Sequence, residues 1–183
     1  SELVTDKFKK NGGVMQGLQI WVNLPKKNKK VKPWYQHIKK NNIPTIDEGN
    51  DVSIKVLVGK VKKISSAVQT YSPVSIFDVQ FNSPGLVDLD IAKNQTVMVY
   101  VIDGELKFHN DNKIARNGQM IYFDHSADII NLTSISITGS YLVLAGKPLN
   151  ESVIRYGPFV TNTEEDMKQA MLDYQNGKMG ILI

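Results

Sequence analysis

The sequence contains no cysteine and only three histidines among its 183 residues. Without cysteine the chain can form neither a disulfide nor a thiolate metal site, which fits a reducing compartment. No apolar run approaches the 18 residues that suggest a membrane-spanning helix, so we expect no membrane partner. The first residues, Ser1–Lys7, lack the apolar stretch of a signal peptide and an initiator methionine. These features favour a cytoplasmic protein (nuclear if eukaryotic), with a front end that was cut or engineered.

Positive charge is concentrated in the first third of the chain. Residues 1–63 hold 14 lysines against 5 acidic residues, whereas residues 64–183 hold 8 basic and 13 acidic residues. Two blocks carry most of the excess, namely Lys26, Lys27, Lys29, Lys30 and Lys32, followed by Lys39 and Lys40. Such blocks can face phosphate groups. Because neither contains arginine or interleaved aromatic residues, we interpret them as solvated surface and expect no direct contact with nucleic acid.

From Asp51 onward, short apolar stretches alternate with turn residues. The predicted strands are 52–58, 74–81, 86–91, 95–102, 105–109, 119–123, 128–132, 134–138 and 141–145. Asp103-Gly104 separates two of them and predicts a two-residue hairpin. Regularly spaced short strands are typical of a mainly β protein, a sandwich or barrel.

A further strand is predicted upstream, over Gly17–Leu24. Four apolar side chains would share one of its faces, those of Leu18, Ile20, Val22 and Leu24. Pro25 ends this strand, and residues 26–50 read as an irregular connector rich in lysine, asparagine and proline.

The tail of the sequence predicts an α-helix. Asn162 is the expected N-cap, with Glu165 as the second half of a capping box, and Gly177 is the expected C-terminal cap. The helix would carry one apolar stripe, formed by Met167, Ala170, Met171 and Tyr174.

Several motifs in the same order resemble those of the pirin family, a branch of the bicupins. They are Gly17–Pro25, Tyr35-Gln36, Val56–Gly59, Ser72-Pro73, Val101–Glu105, Ala145–Glu151, Tyr156–Val160, Asn162–Glu165 and Asp173–Gly177. The resemblance implies a cupin-type jelly-roll β-sandwich or barrel with a C-terminal α-helix. Residues 1–50 would then be a remnant of an N-terminal cupin with the connector, 51–160 the C-terminal cupin barrel, and 161–183 the helix and tail.

The resemblance also bears on metal chemistry. Pirin-like proteins bind one iron ion in their first barrel through three histidines and one glutamate, and their second barrel is generally metal-free. Some members are transcription cofactors, and some oxidise flavonols. Ser1-Glu2 matches the end of the family's His-Ser-Glu tripeptide, which makes Glu2 the one surviving metal ligand. The resemblance therefore implies Fe(II) in the intact parent, and we expect no cofactor in this chain.

The three histidines do not predict a second metal site. An iron site needs several converging ligands, which a His-x-His pair on one strand can supply. His37, His109 and His125 form no such pair. A cluster of His109 and His125 with Asp124 is an alternative, but we interpret all three as exposed turn residues.

Other catalytic motifs are weak. The sequence has no glycine-rich phosphate loop between a strand and a helix, and no Gly-x-Ser-x-Gly nucleophile elbow. Asp88 and Asp90 alternate on one strand face and could pair for acid–base work. Without a partner motif we expect both to face solvent, and we predict no catalytic residues in this chain.

The apolar strand at 17–24 would lack its sheet neighbours if the first barrel is absent. Unpaired apolar edges are sites of pairing, and exposed apolar patches usually find a partner. We expect association with the missing N-terminal half, a homodimer through residues 14–24, or refolding of this strand onto the second barrel. Two functions follow: a non-catalytic interaction or regulatory module acting on a protein partner, or the non-catalytic half of a quercetin-type 2,3-dioxygenase.

Overall fold

A computed structural model describes residues 6–49, 51–107, 113–123 and 129–180. The chain forms two compact units, one made of Ser1–Lys30 with Glu151–Ile183 and the other of Val31–Asn150. The limits 51 and 160 proposed for the barrel stay a prediction, since the unit that contains the two main sheets runs from Val31 to Asn150.

Two antiparallel sheets build the larger unit, with strands numbered in chain order. The first sheet has the spatial order β1 (Thr45–Asp47), β2 (Val52–Val58), β5 (Val74–Phe81), β12 (Gly139–Gly146), β7 (Thr96–Asp103) and β10 (Met120–Phe123). The second has the order β6 (Gly85–Asp90), β11 (Ile129–Ser134), β8 (Glu105–Lys107) and β9 (Ile114–Arg116). A small hairpin joins β3 (Lys60–Val61) to β4 (Ile64–Ser65), and a 3-10 turn spans Lys40–Asn42. The fold is mainly β, as predicted.

The core lies between the two sheets. Strands β2, β5 and β7 alternate buried and more exposed residues, so each sends every second side chain inward. The buried side chains of both sheets form one hydrophobic cluster, which includes Ile54, Phe77 and Val99 from the first sheet and Leu89 and Leu132 from the second. Burial of these side chains is what stabilises the sandwich.

The prediction of a hairpin at Asp103-Gly104 is wrong. Strand β7 pairs with β12 and β10, whereas β8 pairs with β11 and β9, so the chain passes from one sheet to the other at Gly104. Gly104 has φ +89, and an added Cβ would lie 2.8 Å from the carbonyl oxygen of Thr138. The turn signal therefore marked a sheet crossover, which local sequence cannot distinguish from a hairpin.

The two strands predicted at 128–132 and 134–138 are in fact one strand followed by a turn. Strand β11 runs over Ile129–Ser134, and residues 135–138 form no strand. Ile137 is 82% exposed. Its apolar character suggested a strand that the structure does not form.

The smaller unit contains helix α1 (Asp6–Asn11), a 3-10 turn at Lys26–Asn28, the hairpin of β13 (Ile154–Tyr156) with β14 (Phe159–Thr161), and helix α2 (Glu164–Gln175). Met167 on α2 is buried, and the ring of Tyr174 packs edge-on against Phe159, with centroids 5.7 Å apart. No helix in the described part of the chain is long and apolar enough to cross a membrane.

The predicted caps of α2 are half right. The N-cap is Thr163, whose hydroxyl oxygen accepts a hydrogen bond from the Asp166 backbone N–H at 3.1 Å. Asn162 is not the cap because its side-chain amide donates to the Ser152 carbonyl at 2.7 Å. At the other end Gly177 has φ +70, and the N–H of Lys178 donates to the carbonyl of Asp173 in a Schellman motif.

The strand predicted over Gly17–Leu24 is not formed. Residues 12–25 belong to no strand or helix, and no other described segment forms a ladder with them. Alternating apolar residues satisfy the pattern of a strand, but a strand also needs a neighbour to accept and donate its backbone hydrogen bonds.

Candidate functional site

The interior of the sandwich is the position where a jelly roll can hold a ligand, and here side chains fill it. The inward positions of the first sheet are Val52, Ile54, Val56, Phe77, Val79, Phe81, Val97, Val99, Val101, Tyr141, Val143 and Ala145. Those of the second are Val87, Leu89, Leu106, Ala115, Ile130 and Leu132. Among the described residues of the two sheets, the polar side-chain atoms buried in this interior are the hydroxyl oxygens of Tyr141 and Ser134, which lie 2.8 Å apart. Iron needs several nitrogen or oxygen ligands, so these residues do not fit it.

Tyr141 is the only tyrosine in the buried core among the described residues. Its hydroxyl donates to the backbone carbonyl of Glu105 at 2.9 Å and lies 2.8 Å from Ser134 Oγ, and both Tyr141 and Ser134 are buried. Its ring packs edge-on against Phe81, with centroids 5.7 Å apart. Burial raises the pKa of the Tyr141 hydroxyl above its ordinary value. The group is fully hydrogen-bonded, which indicates a structural role.

The prediction that Glu2 is a metal ligand is not tested, and neither is the alternative cluster of two histidines and an aspartate. Glu2, His109, His125 and Asp124 all lie outside the described ranges. His37 is exposed, and its Nδ1 lies 3.5 Å from the Tyr35 hydroxyl. Within the described ranges, no group of three or more histidine, aspartate or glutamate side chains could hold a metal ion.

Asp88 and Asp90 are exposed on strand β6. Asn131 on the neighbouring strand donates its side-chain N–H to Asp88 Oδ1 at 2.6 Å. This hydrogen bond gives Asp88 a structural partner across two strands, and the prediction that both aspartates face solvent is confirmed.

Two lysines of the first block, Lys26 and Lys30, form hydrogen bonds within the smaller unit. The Lys30 ammonium donates to Asp166 Oδ1 at 2.7 Å, and the backbone N–H of Lys26 donates to Glu151 Oε2 at 2.7 Å. The hydrogen bond from Lys30, followed by that from Thr163, lowers the pKa of the Asp166 carboxyl. Part of the block therefore binds the N-terminal turn of α2, a structural use of positive charge that the sequence did not indicate.

An apolar surface remains on the smaller unit, which we call the 14–22 segment. It exposes six large apolar side chains, those of Val14, Met15, Leu18, Ile20, Trp21 and Val22. Val14 is 96% exposed and Trp21 is 69% exposed. Contiguous exposed apolar runs are candidate contact surfaces.

Comparison with known proteins decides the family. The model of the pirin C-terminal cupin domain matches residues 76–180. This chain belongs to the pirin family. Human pirin is 34% identical to it over 170 residues, which cover 90% of the chain and 57% of human pirin. Arabidopsis thaliana Pirin-1 is 32% identical over 170 residues, covering 91% of the chain and 59% of the relative.

The fold agrees with this assignment. The crystal structure of quercetin 2,3-dioxygenase from Acinetobacter baumannii superposes on the pirin-family chain with a TM-score of 0.82 and 29% identity. The match covers 89% of this chain and 56% of that one. The pirin-family chain thus spans about three-fifths of the length of its curated relatives. It contains a C-terminal cupin, as the resemblance of its motifs predicted.

Among the features that the sequence did not predict, two concern the candidate sites of this pirin-family chain. One is the buried Tyr141 network, for which the only available signal was a tyrosine at an inward position of an otherwise aliphatic strand. The other is the hairpin around Lys60 and Ser65, which forms one wall of a groove described below. Its strands of two residues each are too short to produce a periodic pattern.

Proposed function

We propose that this chain acts as the non-catalytic C-terminal cupin of an iron-binding pirin-family parent, and that it works through protein contacts. The observation that carries the proposal is the sandwich interior, where the described inward positions are apolar except for the hydroxyls of Tyr141 and Ser134, which are hydrogen-bonded to each other. An iron site would need several ligands at these positions. The exposed 14–22 segment supports contact with another chain.

The parent's iron would be held elsewhere, through the set of three histidines and one glutamate that the family resemblance implies. In this chain only Glu2 corresponds to that set. One carboxylate leaves the other coordination positions of the metal to water, so Glu2 by itself does not form an iron site.

We expect the isolated chain to bind Fe(II) far below one equivalent and to leave quercetin unchanged in the presence of oxygen. The measurement is anaerobic loading with ferrous iron, removal of unbound metal and determination of iron per chain, followed by a quercetin absorbance assay in air. A full-length relative that contains the histidine set is the positive control. Near-stoichiometric iron in this chain would overturn the proposal.

The second candidate function is that of one half of a flavonol 2,3-dioxygenase. The structural match to the quercetin 2,3-dioxygenase of Acinetobacter baumannii favours it. The coding sequence immediately upstream of Ser1 separates the candidates. A histidine codon directly before Ser1, with a His-x-His motif further upstream, would support an iron-binding parent, whereas an unrelated sequence or a stop codon would exclude one.

We propose that the 14–22 segment carries the contact, either with the separate N-terminal cupin or with a second copy of this chain. Trp21→Asp places a charge in the segment and is expected to weaken self-association at least tenfold, because the apolar ring that the contact would bury is replaced by a carboxylate that must be desolvated. Sedimentation velocity over a concentration series measures the effect.

The matched control for this substitution is Tyr156→Asp, which makes the same change at an exposed aromatic residue outside the segment; Tyr156 is 62% exposed. If the wild-type chain is monomeric, the same pair of variants is compared for binding to the N-terminal cupin of a full-length relative. Equal behaviour of both variants in both assays would contradict the assignment of the contact to this segment.

A further inference from the structure

A groove of about 600 Å³ lies at one end of the larger unit, and no step of the proposed function uses it. Its walls come from both sheets: the β3–β4 hairpin, the start of β5, the end of β6 and the residues just before β7. Seven polar side chains line it, those of Lys60, Lys62, Ser65, Thr70, Ser75, Asp90 and Gln95. Its volume and its place at the mouth of a β-sandwich are typical of small-molecule sites.

The two cations of the groove differ in their surroundings. Lys62 donates to Glu48 Oε2 at 2.5 Å, so a carboxylate of the protein already balances its charge. Lys60 is exposed and forms no ion pair with a described residue. Its ammonium is therefore the group that would receive an anion from solution. Ser65, its partner across the hairpin, adds a hydroxyl to the same groove.

The groove also contains a carboxylate. Asp90 ends strand β6 of the second sheet, and its exposed carboxylate accepts hydrogen bonds but donates none. The apolar side chains of Pro73, Val74 and Ile91 line the groove as well. The lining thus offers a cation, apolar side chains and a carboxylate.

The groove wall is held in place by the backbone. At Gly59, which has φ +84, an added Cβ would lie 2.6 Å from the carbonyl oxygen of Val74. The Ser66 hydroxyl donates to the Leu57 carbonyl at 2.7 Å, and the Ser66 backbone N–H donates to the Gly59 carbonyl at 2.9 Å. A register shift between Val56 and Val58 places a bulge here, a feature frequent at the rims of barrels beside binding sites.

We propose that this groove binds a small hydroxylated organic acid. Its carboxylate contacts the Lys60 ammonium, its hydroxyl donates to Asp90, and its apolar body lies against Val74 and Ile91. The site requires no metal, so its binding does not depend on the iron chemistry of the parent. None of its lining residues belongs to the 14–22 segment.

The test is an NMR titration of the ¹⁵N-labelled 183-residue chain with four probes: 4-hydroxybenzoate, benzoate, 4-hydroxybenzyl alcohol and inorganic phosphate. We expect 4-hydroxybenzoate to shift the amide signals of Gly59, Ser65, Ser75 and Gln95, with a dissociation constant in the millimolar range typical of a ligand of this size. The neutral alcohol should bind about tenfold more weakly, because it lacks the charge-assisted contact with Lys60.

Lys60→Gln should weaken 4-hydroxybenzoate binding about tenfold, whereas Lys168→Gln, which removes the same charge from an exposed position of α2, should leave it unchanged. Asp90→Asn should abolish the preference for 4-hydroxybenzoate over benzoate. The proposal is overturned if 4-hydroxybenzoate shifts no groove signal, if Lys60→Gln binds like the wild type, or if phosphate produces the same shifts and the organic acid adds none. Equal binding of the two benzoates by the wild type would remove Asp90 from the site.

Discussion

Replacing Gly139 with alanine is expected to lower the free energy of unfolding by about 3 kcal/mol. An added Cβ would lie 2.5 Å from the Tyr141 hydroxyl oxygen, 2.7 Å from Tyr141 Cε2 and 2.8 Å from Ser134 Oγ. Tyr141 and Ser134 are buried and hydrogen-bonded to each other, so neither can move away without breaking that bond. Urea denaturation followed by circular dichroism measures the loss.

The matched control for this variant is Gly17→Ala. A Cβ at Gly17 meets no atom within 4 Å, and this glycine does not have a positive φ. We expect its unfolding free energy to stay within about 0.5 kcal/mol of the wild type. If Gly139→Ala is equally neutral, the close approach of the backbone to Tyr141 is not what the fold requires at this position.

The variant Tyr141→Ala should lose about 4 kcal/mol of the free energy of unfolding, because removal of a large ring that is 0% exposed leaves a cavity in the core. Tyr141→Phe keeps the ring and removes only the hydroxyl. It should cost about 1.5 kcal/mol, since the Glu105 carbonyl and Ser134 Oγ lose a partner. The ratio of the two losses separates packing from hydrogen bonding.

The pH dependence of stability provides an independent check on Tyr141. Burial raises the pKa of its hydroxyl in the folded state, so above the ordinary pKa of 10.0 the unfolded chain releases this proton while the folded chain retains it. The stabilisation is therefore fully present below that pKa and declines as the pH rises above it. Tyr141→Phe should show a smaller decline than the wild type, and equal slopes would contradict the assignment.

The packing of the C-terminal cupin limits what it can do chemically. The side chains that would have to be replaced by ligands to build an iron site are the ones that hold the two sheets together. Under the proposed function, such a cupin would act through its surface. The 14–22 segment and the groove beside Lys60 are two candidate surfaces, and they can be tested separately.

Strands in which apolar and polar residues alternate strongly were predictable from the sequence. Strands β2 and β5 have the predicted limits, 52–58 and 74–81, because each has enough inward apolar residues to define a period of two. The short strands β3, β4, β13 and β14 have two or three residues each, which is too few for a periodic signal. They form as two local hairpins, in which β3 pairs with β4 and β13 pairs with β14.

The sequence by itself determined the family, the mainly β fold and the capped helix at the end, since each depends on local patterns: motif order, alternation and turn or cap residues. Only the tertiary structure decided that the chain changes sheets at Gly104, that the 17–24 stretch forms no strand, that Lys30 binds Asp166, and that Lys60 and Asp90 face one groove. These features depend on which residues distant in sequence meet in space. Pairing across a sheet and ion pairs over more than a hundred residues leave no periodic signal in the chain.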